Sequence, residues 1–258
     1  MPSIDTTENK VSVPCLVVEN LAKNFGGLRA VDSVNLTIEL GERRVLMGPN
    51  GAGKTTIFNL LSGVYPASEG RILFFDKDVT GFPPYRRAAL GIARTYQITN
   101  LFQKLTVSEN ILMACQALTR TKFVMFRSIS SYRQLMDRCD QLLKEFDLWN
   151  KRNTLVKNLS HGDQRQIEVA LALAQEPRLL LLDEPAAGLS SAETQALTLL
   201  LKKLNPNITI LLIEHDMDVA FAFAEKITVL YHGKLLTEGT KEEIKNNPTV
   251  QEIYLGAE

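Results

Sequence analysis

An α/β fold interrupted by a block of helices is predicted by three features of the 258-residue sequence. A glycine-rich loop stands between the apolar run Val45-Leu46-Met47 and a helical pattern over residues 57–61. The unbroken run Leu179-Leu180-Leu181-Leu182 has the character of a parallel strand covered on both faces. Between these two features, residues 86–157 carry mostly helical periodicity.

Taken in order, residues 1–13 read as a loose polar tail with Asp5 and Glu8, unlike a signal peptide. Apolar and polar positions alternate as in strands at residues 16–18 and 34–38, on either side of an Asn24-Phe25-Gly26-Gly27 turn. Gly41-Glu42 turns the chain into the strand before the glycine-rich loop. After the helix that follows, Ser68-Glu69-Gly70 leads into a strand at residues 71–75, and Pro83-Pro84 closes the region. Helices are expected over residues 107–118 and 132–148, with a loop of basic, aromatic and serine residues between them. Strand and helix alternate again afterwards, with helices at 192–204 and 219–225 and a buried strand at 208–213. Tyr231-His232-Gly233 reads as a hairpin turn, and residues 241–255 as two short helices split by Pro248. The expected organisation is a single domain. Residues 14–85 and 158–240 form its α/β core, 86–157 an inserted helical subdomain, and 241–258 a helical tail.

Composition narrows the class. Lys+Arg and Asp+Glu both number 29, so zero formal charge argues against a general nucleic-acid surface. No stretch approaches the roughly 18 apolar residues of a membrane span. Cys15, Cys115 and Cys139 are scattered, lack metal-ligand spacing and read as buried, reduced thiols of an intracellular protein.

The chemistry starts at Gly48-Pro49-Asn50-Gly51-Ala52-Gly53-Lys54-Thr55-Thr56, which fits the phosphate-binding pattern G-x-x-x-x-G-K-[ST]. Its glycines let successive backbone amides point inward at phosphate oxygens, and the helix beginning near Gly53 adds its positive end. Lys54 suits the β- and γ-phosphates, and the Thr55 hydroxyl suits Mg²⁺. Asp183-Glu184-Pro185 ends the leucine strand, at the edge where open α/β sheets bind ligands. In isolation this tripeptide would merely cap a strand. Beside a phosphate loop, Asp183 reads as part of the metal shell and Glu184 as the group that orients or deprotonates an attacking water. His215 follows the next buried strand at the same edge, in reach of a γ-phosphate, whereas His232, in its hairpin, is given no role. Leu159-Ser160-His161-Gly162-Asp163-Gln164 precedes a helix and reads either as an ordinary N-cap or as a second phosphate site.

In this order, Gly48 to Thr56, Gln97, Leu159 to Gln164, Leu182 to Pro185 and His215 resemble the Walker A, Q-loop, signature, Walker B and H-loop motifs of the ATP-binding cassette (ABC) family. The resemblance runs over residues 16–255. It implies a P-loop ATPase core with an antiparallel β subdomain and an inserted α-helical one, binding ATP and Mg²⁺. Glu184, His215 and Gln97 would form the catalytic set, with Thr55, Gln97 and Asp183 around the metal. Phe25 resembles the aromatic that stacks on adenine, with core packing as the alternative. Two cassettes would pair head to tail, bringing Ser160 and the Gly162 amide to the partner's γ-phosphate.

Arg94-Thr95-Tyr96-Gln97, Leu159 to Arg165, Ala186-Ala187-Gly188-Leu189, Glu214-His215-Asp216-Met217 and the ending Tyr254-Leu255-Gly256 resemble the ATPases of branched-chain amino-acid importers. That subgroup implies a second cassette, identical or homologous, two transmembrane permease subunits and, indirectly, an external solute-binding protein. The chain would then sit peripherally on the cytoplasmic face of the inner membrane. It departs from the wider family pattern at His161, Asp163, Gln166, Leu171 and Ser190. An exporter ATPase and a non-transport ATP switch are the alternatives, and the signature and tail argue against the first.

Overall fold

The computed structural model of the protein describes residues 13–95, 101–117, 119 and 131–255. Its strands are β1 (Leu16–Phe25), β2 (Leu28–Ile38), β3 (Arg43–Met47), β4 (Glu69–Phe74), β5 (Lys77–Asp78), β6 (Ile92–Arg94), β7 (Leu179–Asp183), β8 (Thr209–Ile213), β9 (Lys226–Tyr231) and β10 (Lys234–Gly239). The α-helices are α1 (Lys54–Leu61), α2 (Pro84–Ala89), α3 (Val107–Ala117), α4 (Arg133–Glu145), α5 (His161–Leu173), α6 (Ser191–Lys203), α7 (Met217–Phe223), α8 (Lys241–Lys245) and α9 (Pro248–Leu255).

Two sheets result. A four-stranded antiparallel sheet runs β2-β1-β4-β5, and a six-stranded sheet runs β10-β9-β3-β8-β7-β6. Within the second, β3, β6, β7, β8 and β9 are mutually parallel and only β10 runs against its neighbour. The all-leucine run behaves as its composition demands. Leu180 and Leu182 face one apolar cluster, shared with the helices α3, α4 and α5, while Leu179 and Leu181 face another, shared with α1 and the small sheet. The same alternation splits β3 and β8 between the two clusters. A sheet buried on both sides fixes its register firmly, because a slip of one residue would exchange the two faces.

β6 differs from the sequence reading. Residues 92–94 fall inside the stretch taken as helical, yet they pair in parallel with β7 in the large sheet. Three residues are too few to display a period of two, and helical patterns surround them. Pro84, read as an end, occupies the first turn of α2, where its missing N–H costs nothing.

α1 is packed between the sheets, and its far end is held by Arg87. That buried guanidinium donates to the Leu60 and Leu61 carbonyls at 2.6 and 2.7 Å, satisfying groups a helix C-terminus leaves open. Burial lowers the Arg87 pKa to about 10. Since β3, β7 and β8 are parallel, their carboxyl ends meet at one edge, and the residues that follow each strand meet there too.

Candidate active site

The loop from Gly48 to Thr56 leaves β3 and runs into α1. At Gly53, φ is +100°, and a Cβ would meet the Ala30 carbonyl oxygen at 2.7 Å. Only glycine fits that corner. No side chain caps α1, and its first turn holds no acidic residue, so its amide donors and positive end are available to an anion. Lys54 is buried and curls back over the loop, its ammonium donating to the Gly48 and Pro49 carbonyls at 2.6 and 3.1 Å. Burial lowers its pKa, against the pull of Glu184 and Asp183.

These residues line a cavity of about 660 Å³. Asn50, Gly51, Gly53, Lys54, Thr55 and Thr56 form its floor, Phe25 one wall, and Glu184 enters from the end of β7. Phe25 is 42% exposed and edge-on to Tyr65, with ring centroids 5.4 Å apart. It belongs to neither buried cluster, and Lys23 Nζ lies over its ring, 5.1 Å from the centroid. Gly48 packs behind the loop against Leu230 and does not line the cavity.

Sequence reasoning missed the contribution of two neighbouring hairpins. Leu28, Arg29 and Ala30 come from the hairpin that carries Phe25, and His232 and Gly233 from the β9–β10 turn. His232 was given no role, yet its hairpin is tied to the loop. The Gly233 amide donates to the Ala52 carbonyl at 3.0 Å, and the Gly233 carbonyl accepts from Asp32 at 2.8 Å.

The carboxylates occupy different environments. Asp183 is 1% exposed. Burial raises its pKa, partly offset by the adjacent Arg94 guanidinium. One of its oxygens, Oδ1, is buried without a hydrogen-bond partner. Glu184 is half-buried, and its backbone has φ +47°, a left-handed conformation uncommon outside glycine. Its amide is anchored to the Ile213 carbonyl at 3.1 Å, which links the ends of β7 and β8. There His215 Nδ1 lies 3.9 Å from Glu184 Oε1. Beside it the buried Glu214 accepts from the Ala186 amide at 3.4 Å.

Ser160 and Gly162 do not line this cavity. Ser160 caps α5, its hydroxyl accepting from the Asp163 amide at 3.1 Å. Asp163 in turn pairs with Lys151 at 2.7 Å, which gives the unusual acid at that position a structural reason. Gln97 lies outside the described residues.

A family model described as ABC transporter matches residues 31–187. The chain belongs to the ABC transporter family. A second model, described as branched-chain amino acid ATP-binding cassette transporter, matches residues 234–258 of the cassette. The high-affinity branched-chain amino acid transport ATP-binding protein LivG of Escherichia coli (strain K12) is 42% identical, over 95% of this chain and 99% of its own. The lipopolysaccharide export system ATP-binding protein LptB of the same strain is 34% identical, over 93% and 97%. Among solved structures, the ATP-binding cassette MJ1267 in its ADP conformation has a TM-score of 0.84 at 31% identity, covering 94% of this chain and 99% of that one. The cassette is an ATPase of this family. No helix among the described residues is long and apolar enough to cross a membrane.

Proposed function

We propose that the cassette is the ATP-hydrolysing subunit of an importer of branched-chain or related amino acids. The observation that carries this reading is the match of residues 234–258 to the branched-chain cassette model. Overall identity alone leaves the direction open, because an exporter cassette is also a relative. The tail is where the subgroup declares itself. In this reading two permease subunits carry the solute, an external solute-binding protein supplies it, and the cassette sits at the cytoplasmic face of the inner membrane. Phe102, 54% exposed just after the Gln97 stretch, gives a permease helix an apolar contact.

Each residue has a task that follows from its surroundings. The bare end of α1, with the loop amides and Lys54, holds the β- and γ-phosphates, and the partly exposed Phe25 ring on the cavity wall takes the adenine. The donor set also suits a magnesium ion. Asp183 offers a buried oxygen with no protein partner, and Thr55 offers a hydroxyl at the cavity floor. Phosphate oxygens and water would supply the rest of the ion's ligands. A magnesium ion held by Asp183 and Thr55 would supply neutralisation of the phosphate charge. By its resemblance to the Q-loop, Gln97 would serve the same shell and the catalytic set.

Glu184 accepts a proton from the water whose oxygen forms the new bond to the γ-phosphorus. The bond from that phosphorus to the bridging oxygen breaks, and ADP leaves with the electron pair. His215 steadies the γ-phosphate and the water. Ser160 and the Gly162 amide serve the nucleotide of a second cassette, so ATP holds the pair shut and hydrolysis lets it open.

Affinity purification from membranes of the native cell, with mass spectrometry of the co-purifying proteins, tests the assignment. Two polytopic permeases and a related or identical cassette are expected. Export components in their place would overturn the direction, and ribosomal or DNA-bound partners without a permease would overturn transport.

A further inference from the structure

A buried cation takes no part in the chemistry above. Arg94, on β6, is 6% exposed and joins three elements. Its Nη2 donates to Asp183 Oδ2 at 2.9 Å, at the end of β7. Its Nη1 donates to Asn59 Oδ1 at 2.6 Å and to Ser62 Oγ at 2.9 Å, both at the far end of α1. The guanidinium also lies 5.7 Å from the centre of the Phe58 ring.

Three physical consequences follow. A carboxylate as buried as Asp183 needs a compensating charge, and Arg94 supplies it at hydrogen-bonding distance. Arg94 engages Oδ2 only, which leaves Oδ1 bare and fixed in direction. Finally, the rigid fork ties that carboxylate to α1, the same helix whose other end carries Lys54 and Thr55. A lysine has no such fork and could not hold these acceptors in fixed directions.

We propose that Arg94 is a positioning residue for the metal. It fixes the Asp183 carboxylate against the helix that opens with Lys54 and Thr55, so that the two sides of the magnesium shell keep one geometry. The inference rests on the metal role proposed above for Asp183. It also gives β6 a function, since the strand that leads into the Gln97 stretch carries the strut.

Metal affinity, read apart from turnover, tests this. Mn²⁺ would be titrated by EPR into the protein loaded with a non-hydrolysable ATP analogue, and nucleotide affinity measured separately in EDTA. Asp183→Asn should remove most of the metal affinity. Arg94→Met should weaken metal binding by about 10- to 100-fold, as expected when the partner that orients a metal ligand is lost, and leave nucleotide binding in EDTA unchanged. Arg94→Lys, which keeps a charge near Asp183, should fall between Arg94→Met and the native chain. If Arg94→Met does not fold, Arg94→Lys decides the question alone. Native metal affinity in Arg94→Met, or in Arg94→Lys where that variant decides, overturns the inference while leaving the metal role of Asp183 standing. Native metal affinity in Asp183→Asn overturns both.

Discussion

Two helix N-termini to which phosphate contacts are proposed are capped in opposite ways. α1 begins at Gly53 with no side-chain cap and no acid in its first turn, and it opens onto a cavity. α5 begins at Ser160, whose hydroxyl caps it, with Asp163 in its first turn. Glu193 of α6 closes on it from outside. A Cβ on Gly162 would meet its Oε1 at 2.5 Å, and hydrogen bonds from Ser190 first, then from the Gly162 amide, hold the Glu193 carboxyl below its usual range. The first terminus is electropositive and bare, while the second is satisfied within its own chain. A bare terminus is ready for a nucleotide in a single cassette. In the proposed pairing, a satisfied one would exchange its internal anion for a phosphate brought by the partner. Under the proposed pairing, the difference makes nucleotide binding and cassette pairing separable steps.

The sharpest break between the two ends comes from the chemistry at α1. Glu184→Gln should lower turnover by about 10²- to 10⁴-fold, the worth of a positioned base. ATP should still bind and a closed pair should accumulate, visible by size-exclusion chromatography with ATP. Wild-type turnover would remove Glu184 from its role. Lys54→Ala follows. Losing charge-assisted bonds worth roughly 1.5–3 kcal/mol should weaken ATP binding about 10- to 100-fold in the isolated chain. Calorimetric titration measures this directly, and an unaltered affinity would count against the loop.

What was legible in the sequence divides along a similar line. Chemistry that needs several residue types at fixed spacing along one turn, as from Gly48 to Thr56, is written locally and can be read locally. Strands buried on both faces announce themselves by composition, as residues 179–182 do. Contacts between distant segments do not. Arg94 and Asp183 are 89 residues apart in sequence, and nothing near either one signals the pair. His232 reaches the nucleotide cavity only because its hairpin packs on the glycine-rich loop. β6 was hidden by its three-residue length. For Phe25, the sequence left adenine stacking and core packing both open. The exposed ring on the cavity wall favours the first, a preference that depends on tertiary surroundings.

At the capped terminus the effects shrink. Ser160→Ala removes the hydroxyl that accepts from Asp163, which should cost about 1 kcal/mol of stability and shift the unfolding midpoint modestly. ATP affinity of the isolated chain should not move, because Ser160 does not line that cavity. ATP-dependent pairing should weaken. A fall in the isolated chain's ATP affinity would join the two termini into one site and undo the comparison.

The smallest and most discriminating change is Glu193→Gln. Glutamine can keep the α6 capping box, since its amide oxygen still accepts from Ser190. What disappears is the negative charge against the Gly162 amide and the α5 N-terminus. If that charge competes with an incoming phosphate, removing it should strengthen ATP-driven pairing by the worth of one charge at a helix end. That is roughly two- to fivefold, and it should shrink as salt is raised. Analytical ultracentrifugation of Glu184→Gln and Glu184→Gln/Glu193→Gln with ATP, at two salt concentrations, would resolve it. Unchanged pairing would mean that the carboxylate only caps α6 and the signature terminus is as open as the other. Weakened pairing would mean that Glu193 supports the closed state instead of competing with it.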